Sequence, residues 1–268
     1  MKIAIVTRTH NRPLLLPRCL RSIDKQAYTK YIHIVISSSN NYDQDYSLCT
    51  MPYNPRRTIL KSKENNLGMM LNQALEVAKD HKCDLFSILD DDDEYVSDRL
   101  EKIVRAYTTA NTHGISCLQM TIKEKIIDTS IIETFRWRQK LDTFSIVPYN
   151  DKNYRNPGQF TYDNYALDVC KEYPPESISP EHYFLRKFME NNAIAICPEY
   201  LFRYHIREND KPGEGELPNL NTITYDNNIS HIHRDMEISQ LISIAQSEKN
   251  NGLISYFTNL LEETKNDI

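Results

Sequence analysis

The sequence predicts an α/β fold in which helices flank a mostly parallel β-sheet. Segments with strand and helix patterns alternate through the first 120 residues, and this alternation is typical of parallel sheets. Only six glycines occur in 268 residues, which argues against a Gly-rich sandwich or propeller. With 40% hydrophobic residues and a net charge of −5, the chain has the composition of a globular protein with a sizeable core.

The first strand and helix are predicted close to residue 1. The apolar run 3–6 indicates a buried strand, and Asn11 is placed to cap a helix with Pro13 in its first turn. Apolar residues then recur at helical spacing at Leu16, Leu20 and Ile23. A second strand at 31–36 ends in the polar loop 37–41, at the kind of strand end where open α/β sheets bind their ligands.

The strongest helix pattern covers residues 67–78. Its apolar residues fall at i, i+3, i+4, i+7, i+8 and i+11, counted from the first position. A strand at 85–89 follows and runs directly into four aspartates at residues 90–93. A further helix and a strand at 115–120 complete the regular pattern.

The chain is predicted to contain three segments. Residues 1–120 form the regular α/β half, and residues 121–234, rich in Tyr, Asn and Pro, continue the same domain. Residues 235–268 form an amphipathic helical tail. Within the second segment, a helix is expected at 181–189 and a strand at 193–197.

Composition also argues against several classes of protein. The six cysteines lie far apart without a C-x-x-C pair, which disfavours a disulfide framework or zinc module and favours a reducing cytoplasm. The first apolar run is too short for a signal sequence or a membrane span, so we expect peripheral membrane contact at most. The mild negative charge lacks the clustered Lys/Arg excess of a nucleic-acid surface.

The four aspartates at residues 90–93 are the clearest candidate for a functional site. Neighbouring carboxylates repel one another by about 1 kcal/mol per close pair in water, and by more where they are partly desolvated. Mg²⁺ and Mn²⁺ prefer carboxylate oxygens and leave coordination positions for substrate phosphates, so a metal and diphosphate site is predicted here. The alternative is a solvated acidic turn, which the buried strand before the cluster disfavours.

Three stretches, taken in order, resemble the family 2 glycosyltransferases of the GT-A fold. They are residues 5–13, Asn66-Leu67-Gly68 with 72–75, and 89–93 with Asp98-Arg99-Leu100. Each motif is weak alone, but order and spacing match over residues 1–110, and more loosely over 176–207. The resemblance implies a GT-A-like, Rossmann-like fold in which residues 1–120 bind a nucleotide sugar and residues 121–234 bind the acceptor.

The resemblance also implies roles for individual residues. Asp90 and Asp92 form the family's Asp-x-Asp element, in which the second carboxylate binds the metal and the first lies near the ribose. Arg8 and Arg99 become candidates for phosphate contact, although an arginine in a first helical turn is more often ion-paired or solvated. The residues implied at the donor nucleotide from these stretches are Thr7, Arg8, Thr9, Asn11, Asn72, Asp90, Asp91 and Arg99.

The loop after the second strand departs from the family. The family commonly carries an aspartate there that recognises the base, whereas this sequence reads Ser37-Ser38-Ser39. Ser37 and the nearest acid, Asp43, are the predicted substitutes at the nucleotide. We therefore expect the usual preference for uridine nucleotides to be relaxed or shifted.

In the second half, Glu181-His182 resembles the family's Glu-Asp pair, where a carboxylate is the catalytic base. A carboxylate or a neutral imidazole can accept the proton of a hydroxyl, so Glu181 and His182 are both candidates, and Glu181 is the predicted base. If neither residue is the base, Glu176 or Asp93 is the next candidate. The alternative is a capping box with Ser179, in which Glu181 only favours the positive end of a helix. Three histidines could complete the coordination shell of the metal, namely His205, His231 and His233. A lone histidine is, however, usually structural.

The resemblance predicts an enzyme that moves a sugar from a nucleoside diphosphate sugar to a glycan or other hydroxyl acceptor. Mn²⁺ or Mg²⁺ is the expected cofactor, inversion is implied by the resemblance alone, and a homo-oligomer is left open. A sugar nucleotidyltransferase is one alternative, but residues 8–13 lack the glycines of a phosphate loop. A catalytically inactive sugar-binding or scaffold protein is another, because His182 replaces an acid.

Overall fold

The fold is a β-sheet flanked by helices, in a computed structural model that describes residues 1–63, 65–110, 112–127, 130–138, 156–175, 177, 180–189, 192 and 194–207. The strands are β1 (Ile3–Thr9), β2 (Tyr31–Ser37), β3 (Arg57–Lys61), β4 (Leu85–Ile88), β5 (Glu94–Tyr95), β6 (Gly114–Ile127), β7 (Ser130–Arg138), β8 (Phe160–Asp163) and β9 (Ala195–Arg207). The helices are α1 (Leu16–Asp24), α2 (Tyr42–Thr50), α3 (Leu67–Asp80), α4 (Arg99–Ala110), α5 (Asn164–Cys170) and α6 (Pro180–Met189). All described residues belong to one compact unit of the chain, and the predicted tail 235–268 lies outside them.

The order of the strands places the first four strands of the chain together at one end of the sheet. The order is β3-β2-β1-β4-β8-β6-β9-β5, and β7 pairs with β6 beside this path. β1 runs parallel to β2 and β4, and β2 runs parallel to β3, as the alternating pattern predicts. β8 is antiparallel to both β4 and β6, so a strand from the second half joins the middle of the sheet.

Helices cover the strands of the first half closely enough that β1 is buried on both faces. Ile3 and Ile5 belong to a core cluster with residues of α1 and α4, whereas Ala4 and Val6 belong to a cluster with residues of α3. A strand buried on both faces reads as a continuous apolar run, which is why 3–6 is recognisable in the sequence. Among the helices that the structure describes, none is long and apolar enough to cross a membrane.

Several element boundaries differ from the prediction. α1 begins at Leu16 with Pro17 in its first turn, so Asn11 does not cap it. Asn11 instead occupies the loop after β1 with φ of 54°, a conformation that asparagine tolerates better than most residues. α2 and β3 were not predicted, and β6 and β9 run beyond the predicted strands 115–120 and 193–197.

Candidate active site

The four aspartates lie where β4 ends, beside the end of the parallel strand β1. This is the edge of a parallel sheet at which ligands gather. Asp91 and Asp93 are buried, and the side chains of Asp90 and Asp92 are 30% and 14% exposed. The cluster is therefore partly desolvated, and the alternative of a solvated acidic turn does not describe it.

Arg8, on β1, joins the aspartates to helix α6. Its guanidinium donates to Asp90 Oδ1 at 2.7 Å and to Glu181 Oε1 at 2.9 Å. Burial opposes the charge on Arg8, but Glu181 and Asp90 outweigh it, so the pKa of Arg8 is raised further. Two carboxylates that lie 91 positions apart in the sequence, 90 and 181, thus meet at one guanidinium.

Asp92 is held by two arginines from distant parts of the chain. Its Oδ2 accepts hydrogen bonds of 2.8 Å from Arg12, in the loop after β1, and from Arg207, at the end of β9. Burial opposes the ionisation of Asp92, but Arg12 and Arg207 outweigh it and lower the pKa of Asp92. Arg18 of α1 also donates to the backbone carbonyl of Asp92.

Asp91 and Asp93 ionise less readily than their neighbours. Burial raises the pKa of Asp91 to about 7, against the opposing effect of Arg12. Burial, reinforced by the charges of Asp92 and Asp90, raises the pKa of Asp93 well above its usual range. Both shifts disfavour the charged carboxylates of Asp91 and Asp93, and the neighbouring arginines offset the charges of Asp90 and Asp92.

His205, predicted as a metal ligand, has both ring nitrogens engaged by carboxylates. Nδ1 lies 2.7 Å from Glu124 Oε1, and Nε2 lies 3.0 Å from Glu94 Oε2. Its backbone amide donates to Asp93 Oδ1 at 2.9 Å. Because both ring nitrogens face carboxylates, His205 fixes β9 against the cluster in this arrangement, and its role at a metal stays a prediction. His231 and His233 lie outside the described residues.

The aspartates fit a metal that arrives with substrate phosphates better than a metal held by protein alone. Within the described residues, no three His, Cys, Asp or Glu side chains surround a common point. A divalent ion of the Mg²⁺ type commonly uses one or two carboxylates and completes its shell with phosphates and water. Asp90 and Asp92 provide two such carboxylates, while Asp91 Oδ2 and Asp93 Oδ2 are buried and have no hydrogen-bond partner among the described residues.

Arg99 and Asn72, predicted at the nucleotide, direct their side chains into the fold. Arg99 is fully buried, with its guanidinium 3.8 Å from the ring centroid of Tyr95 and a hydrogen bond of 3.0 Å to the carbonyl of Gly158. The amide group of Asn72 pairs with both backbone groups of Tyr173, each at 2.8 Å. Because these donors and acceptors are used inside the protein, the structure lends no support to a ligand contact of either side chain, and both contacts stay predictions.

Thr7 and Ser37 are also turned inward. The hydroxyl of Thr7 lies 3.0 Å from His33 Nε2, and that of Ser37 donates to the buried Asp45 Oδ2 at 2.7 Å. Both residues are fully buried, so any contact with a nucleotide would have to involve their backbone. The acid next to Ser37 is thus Asp45, whereas Asp43 is exposed in the first turn of α2.

Thr9 and Asn11 remain at the end of β1. Thr9 is buried, and its side chain lies close enough to Asp91 to act on the pKa of that carboxyl, against the larger effect of burial. Asn11 is exposed and connects the loops after β1 and β2, because its backbone amide donates to Ser39 Oγ at 2.7 Å and its Oδ1 accepts from Asn40 at 3.0 Å. Their role at a nucleotide stays a prediction.

Sequence reasoning missed the basic partners of the cluster, an acid that contacts one of these partners, and an acid that contacts Ser37. The missed residues are Arg12, Arg18, Arg207, Glu124 and Asp45. A signal was available for Arg12, which lies in a matched stretch beside an arginine already considered. The signal for Arg207 was its position two residues after His205, a predicted metal ligand, although its contact with Asp92 spans 115 positions.

Comparison with known proteins identifies the family of this chain. The sequence model described as Glycosyl transferase family 2 matches residues 4–169, which is more than half of the chain. The chain belongs to glycosyl transferase family 2. No curated protein matches the sequence.

Solved structures show which fold this family 2 member adopts. S. aureus TarS 1-349 in complex with UDP-GlcNAc has a TM-score of 0.62 at 14% identity, over 99% of this chain and 72% of that chain. In complex with UDP, TarS 1-349 has a TM-score of 0.57 at 16% identity, over 77% of this chain and 61% of that one. The mannosyltransferase PcManGT from Pyrobaculum calidifontis, in complex with GDP-Man and Mn²⁺, has a TM-score of 0.53 at 14% identity, over 92% and 64%. The predicted GT-A-like fold is confirmed.

Proposed function

We propose that this family 2 member transfers a sugar from a nucleoside diphosphate sugar to an acceptor hydroxyl. The observation that carries the proposal is the contact of Arg8 with Asp90 on one side and Glu181 on the other, at 2.7 and 2.9 Å. Asp90, a carboxylate on the donor side, and Glu181, the candidate base, thus contact the same guanidinium group. A transferase needs this adjacency, because the acceptor must lose its proton where the sugar carbon is attacked.

The donor side is proposed to combine Asp90 and Asp92 with the neighbouring arginines. Asp90 and Asp92 would hold Mn²⁺ or Mg²⁺, which when bound neutralises charge on the departing diphosphate. Arg8, Arg12 and Arg207 add positive charge for phosphate oxygens. TarS in complex with UDP-GlcNAc and PcManGT in complex with GDP-Man and Mn²⁺ support a nucleotide-sugar donor and a metal.

On the acceptor side, Glu181 is proposed as the general base. It lies in the first turn of α6, is 7% exposed, and is hydrogen-bonded to Arg8. Burial lowers the pKa of the neighbouring His182, so its neutral ring is the second candidate to accept a proton. A single displacement assisted by one base inverts the configuration at the sugar carbon, and inversion is part of the proposal.

Replacing Asp92 by Asn tests the metal assignment. Asp92→Asn keeps the size of the side chain but removes an anionic ligand, so Mn²⁺-dependent binding of nucleoside diphosphates should be lost while the fold is retained. Isothermal titration calorimetry measures the affinity. Asp98→Asn, which removes an acid whose side chain is 41% exposed beside Lys102, is the matched control and should bind as the wild type does. Unchanged diphosphate affinity in Asp92→Asn would refute the assignment.

The remaining properties stay predictions. They are the nucleobase of the donor, the identity of the acceptor, and a role in glycan or cell-surface polysaccharide synthesis. A cytoplasmic location with peripheral membrane contact at most and assembly into a homo-oligomer also stay predictions. Asp45, buried against Ser37, is a second acid near the predicted site of the nucleobase. Because Asp45 is buried and already accepts a hydrogen bond from Ser37, a shifted nucleobase preference is proposed to involve the exposed Asp43.

A further inference from the structure

Asp92 shares one carboxylate oxygen between two arginines in an enclosed site. Arg12 and Arg207 each donate to Oδ2 at 2.8 Å, and Arg12 also donates to Asp91 Oδ1 at 3.1 Å. The side chains of Arg12, Asp92 and Arg207 are 16%, 14% and 7% exposed. Because little water reaches these groups, their charges are weakly screened, and any further cation at Asp92 interacts strongly with both guanidinium groups.

These contacts oppose the binding of a metal by itself. A divalent cation on Asp92 would lie beside two guanidinium groups that repel it. A diphosphate removes this conflict, because its oxygens accept the hydrogen bonds of the arginines while its negative charge offsets that of the ion. Arginine suits such an exchange, since its planar set of donors matches both carboxylate and phosphate oxygens.

We propose that Arg12 and Arg207 move from Asp92 to the donor diphosphate when the metal binds, and thereby make metal and donor binding depend on each other. The inference rests on the proposed function, in which Asp92 holds the metal. It assigns diphosphate recognition to two arginines that compete with the metal in the free protein. By linkage, each ligand strengthens the binding of the other by the same factor.

Arg12→Gln separates the two effects of the arginine. Mn²⁺ is titrated alone, with the free ion followed by electron paramagnetic resonance, and inorganic pyrophosphate is then titrated in Mn²⁺ by calorimetry. Pyrophosphate is chosen because it carries no base. Compared with the wild type, Arg12→Gln should bind Mn²⁺ alone about tenfold more tightly and pyrophosphate in Mn²⁺ about tenfold more weakly.

Two further variants make the test independent of a single substitution. Arg207→Gln should shift both affinities in the same directions as Arg12→Gln, and it serves if the first variant does not fold. Arg105→Gln is the control, because it removes a positive charge from α4 whose side chain is 74% exposed. Both affinities of this control should equal those of the wild type.

The outcomes distinguish this inference from the proposed function. If Asp92→Asn abolishes Mn²⁺ binding but neither arginine variant shifts the two affinities in opposite directions, the exchange is overturned and the metal site stands. If the wild type and Asp92→Asn bind Mn²⁺ equally, or do not bind it with or without pyrophosphate, the metal assignment is overturned and the exchange with it.

Discussion

Glu181 and His182 are adjacent in the sequence but have different surroundings. The carboxylate of Glu181 is held by Arg8 beside Asp90, whereas His182 has a ring whose pKa is lowered by burial. The hydrogen bond to Arg8 orients the Glu181 carboxylate at the place where the donor and acceptor are expected to meet. A base must be oriented in this way to accept a proton during the attack.

Glu181→Gln should therefore lower turnover by roughly a hundredfold or more while donor affinity changes little, because the amide keeps its size but cannot accept the proton. Transfer to an acceptor, or donor hydrolysis in Mn²⁺, measures turnover. His182→Asn is the matched comparison and should retain most activity. A larger effect of His182→Asn would assign the base to the imidazole, and loss of donor binding in Glu181→Gln would show that Arg8 needs its partner for folding of the site.

For single residues, the sequence predicts the acidic side chains of the candidate site better than it predicts which groups the polar and basic side chains contact. Asp90, Asp92 and Glu181 were predicted from the resemblance to the family, and the structure brings Asp90 and Glu181 together at Arg8. The side chains of Asn72 and Arg99 could not be assigned, since an amide or guanidinium bonds equally well to a ligand or to backbone carbonyls. Only the fold decides that Tyr173 and Gly158 are those partners.

Among the elements, α3 has two functions in packing that its apolar periodicity does not reveal. Asn66 and Asn72 bond to the backbone of Pro175 and Tyr173, so the helix fixes the segment that precedes α6. Gly68, between them, lies against Pro174, because a Cβ atom at this position would be 2.7 Å from the Pro174 carbonyl oxygen. The helix thus supports the element that carries Glu181.

Gly68→Ala should destabilise the protein by about 1–3 kcal/mol, because the methyl group would meet the backbone of two prolines. Helix propensity alone predicts the opposite sign, a stabilisation of about 0.5–1 kcal/mol. Urea unfolding measures the difference. Met69→Ala, at an exposed position of the same turn, should have little effect. A stabilised Gly68→Ala variant would mean that the 173–175 segment can move away from α3 without loss.

His33, in the centre of β2, is expected to make stability depend on pH. Arg57 donates to Nδ1, which places the proton of the neutral ring on Nε2, where it is donated to Thr7. Burial, with a smaller effect of Arg57, lowers the pKa of His33 well below its usual value. The unfolded chain therefore binds the proton first, and stability is lost as pH falls below about 6.5 towards the folded pKa.

Between pH 7.5 and 5.5, His33 should contribute a loss of about 1 kcal/mol in the free energy of unfolding. His33→Gln removes the titrating ring, so its stability should fall by less over this interval, as urea unfolding at both pH values would measure. His81→Gln, at an exposed position, should keep the pH dependence of the wild type. Parallel curves for His33→Gln and the wild type would contradict the expectation.

Strands and helices were predictable where both periodicity and burial are regular. β1, β4 and α3 meet this condition, whereas α2 has only two buried residues and therefore gives no apolar stripe. The position of β8 in the sheet could not be predicted, because antiparallel pairing with β4 depends on contacts over more than 70 positions. Short strands carry too little pattern to specify such partners.

Across the whole molecule, the candidate site is made where the two halves of the chain meet. Arg8–Glu181, Asp92–Arg207 and the Asp93 contact with the His205 backbone each join a residue of the first half to one of the second. A ligand that binds between such residues should stabilise both halves together. Binding to the folded state alone raises the free energy of unfolding by about 2.7 kcal/mol at a hundredfold excess over Kd.

A nucleoside diphosphate with Mn²⁺ should accordingly raise Tm by about 5–10 °C for a domain of this size. Differential scanning fluorimetry with uridine, guanosine, thymidine and cytidine diphosphates would measure the shift and rank the bases together. Asp92→Asn should lose the shift, and omission of Mn²⁺ should reduce it. An equal rise in Asp92→Asn would place the nucleotide elsewhere.

The long separation between β4 and its neighbour β8 has a consequence during translation. Until residues 160–163 leave the ribosome, the edge of β4 that pairs with β8 has no hydrogen-bonding partner. Arg207 follows Asp92 by 115 positions, which corresponds to about 6 to 23 s of synthesis. An open strand edge invites pairing with other chains, and charged residues at its end oppose such pairing. We therefore expect the aspartates to protect the nascent chain from aggregation before they have their full set of arginine partners.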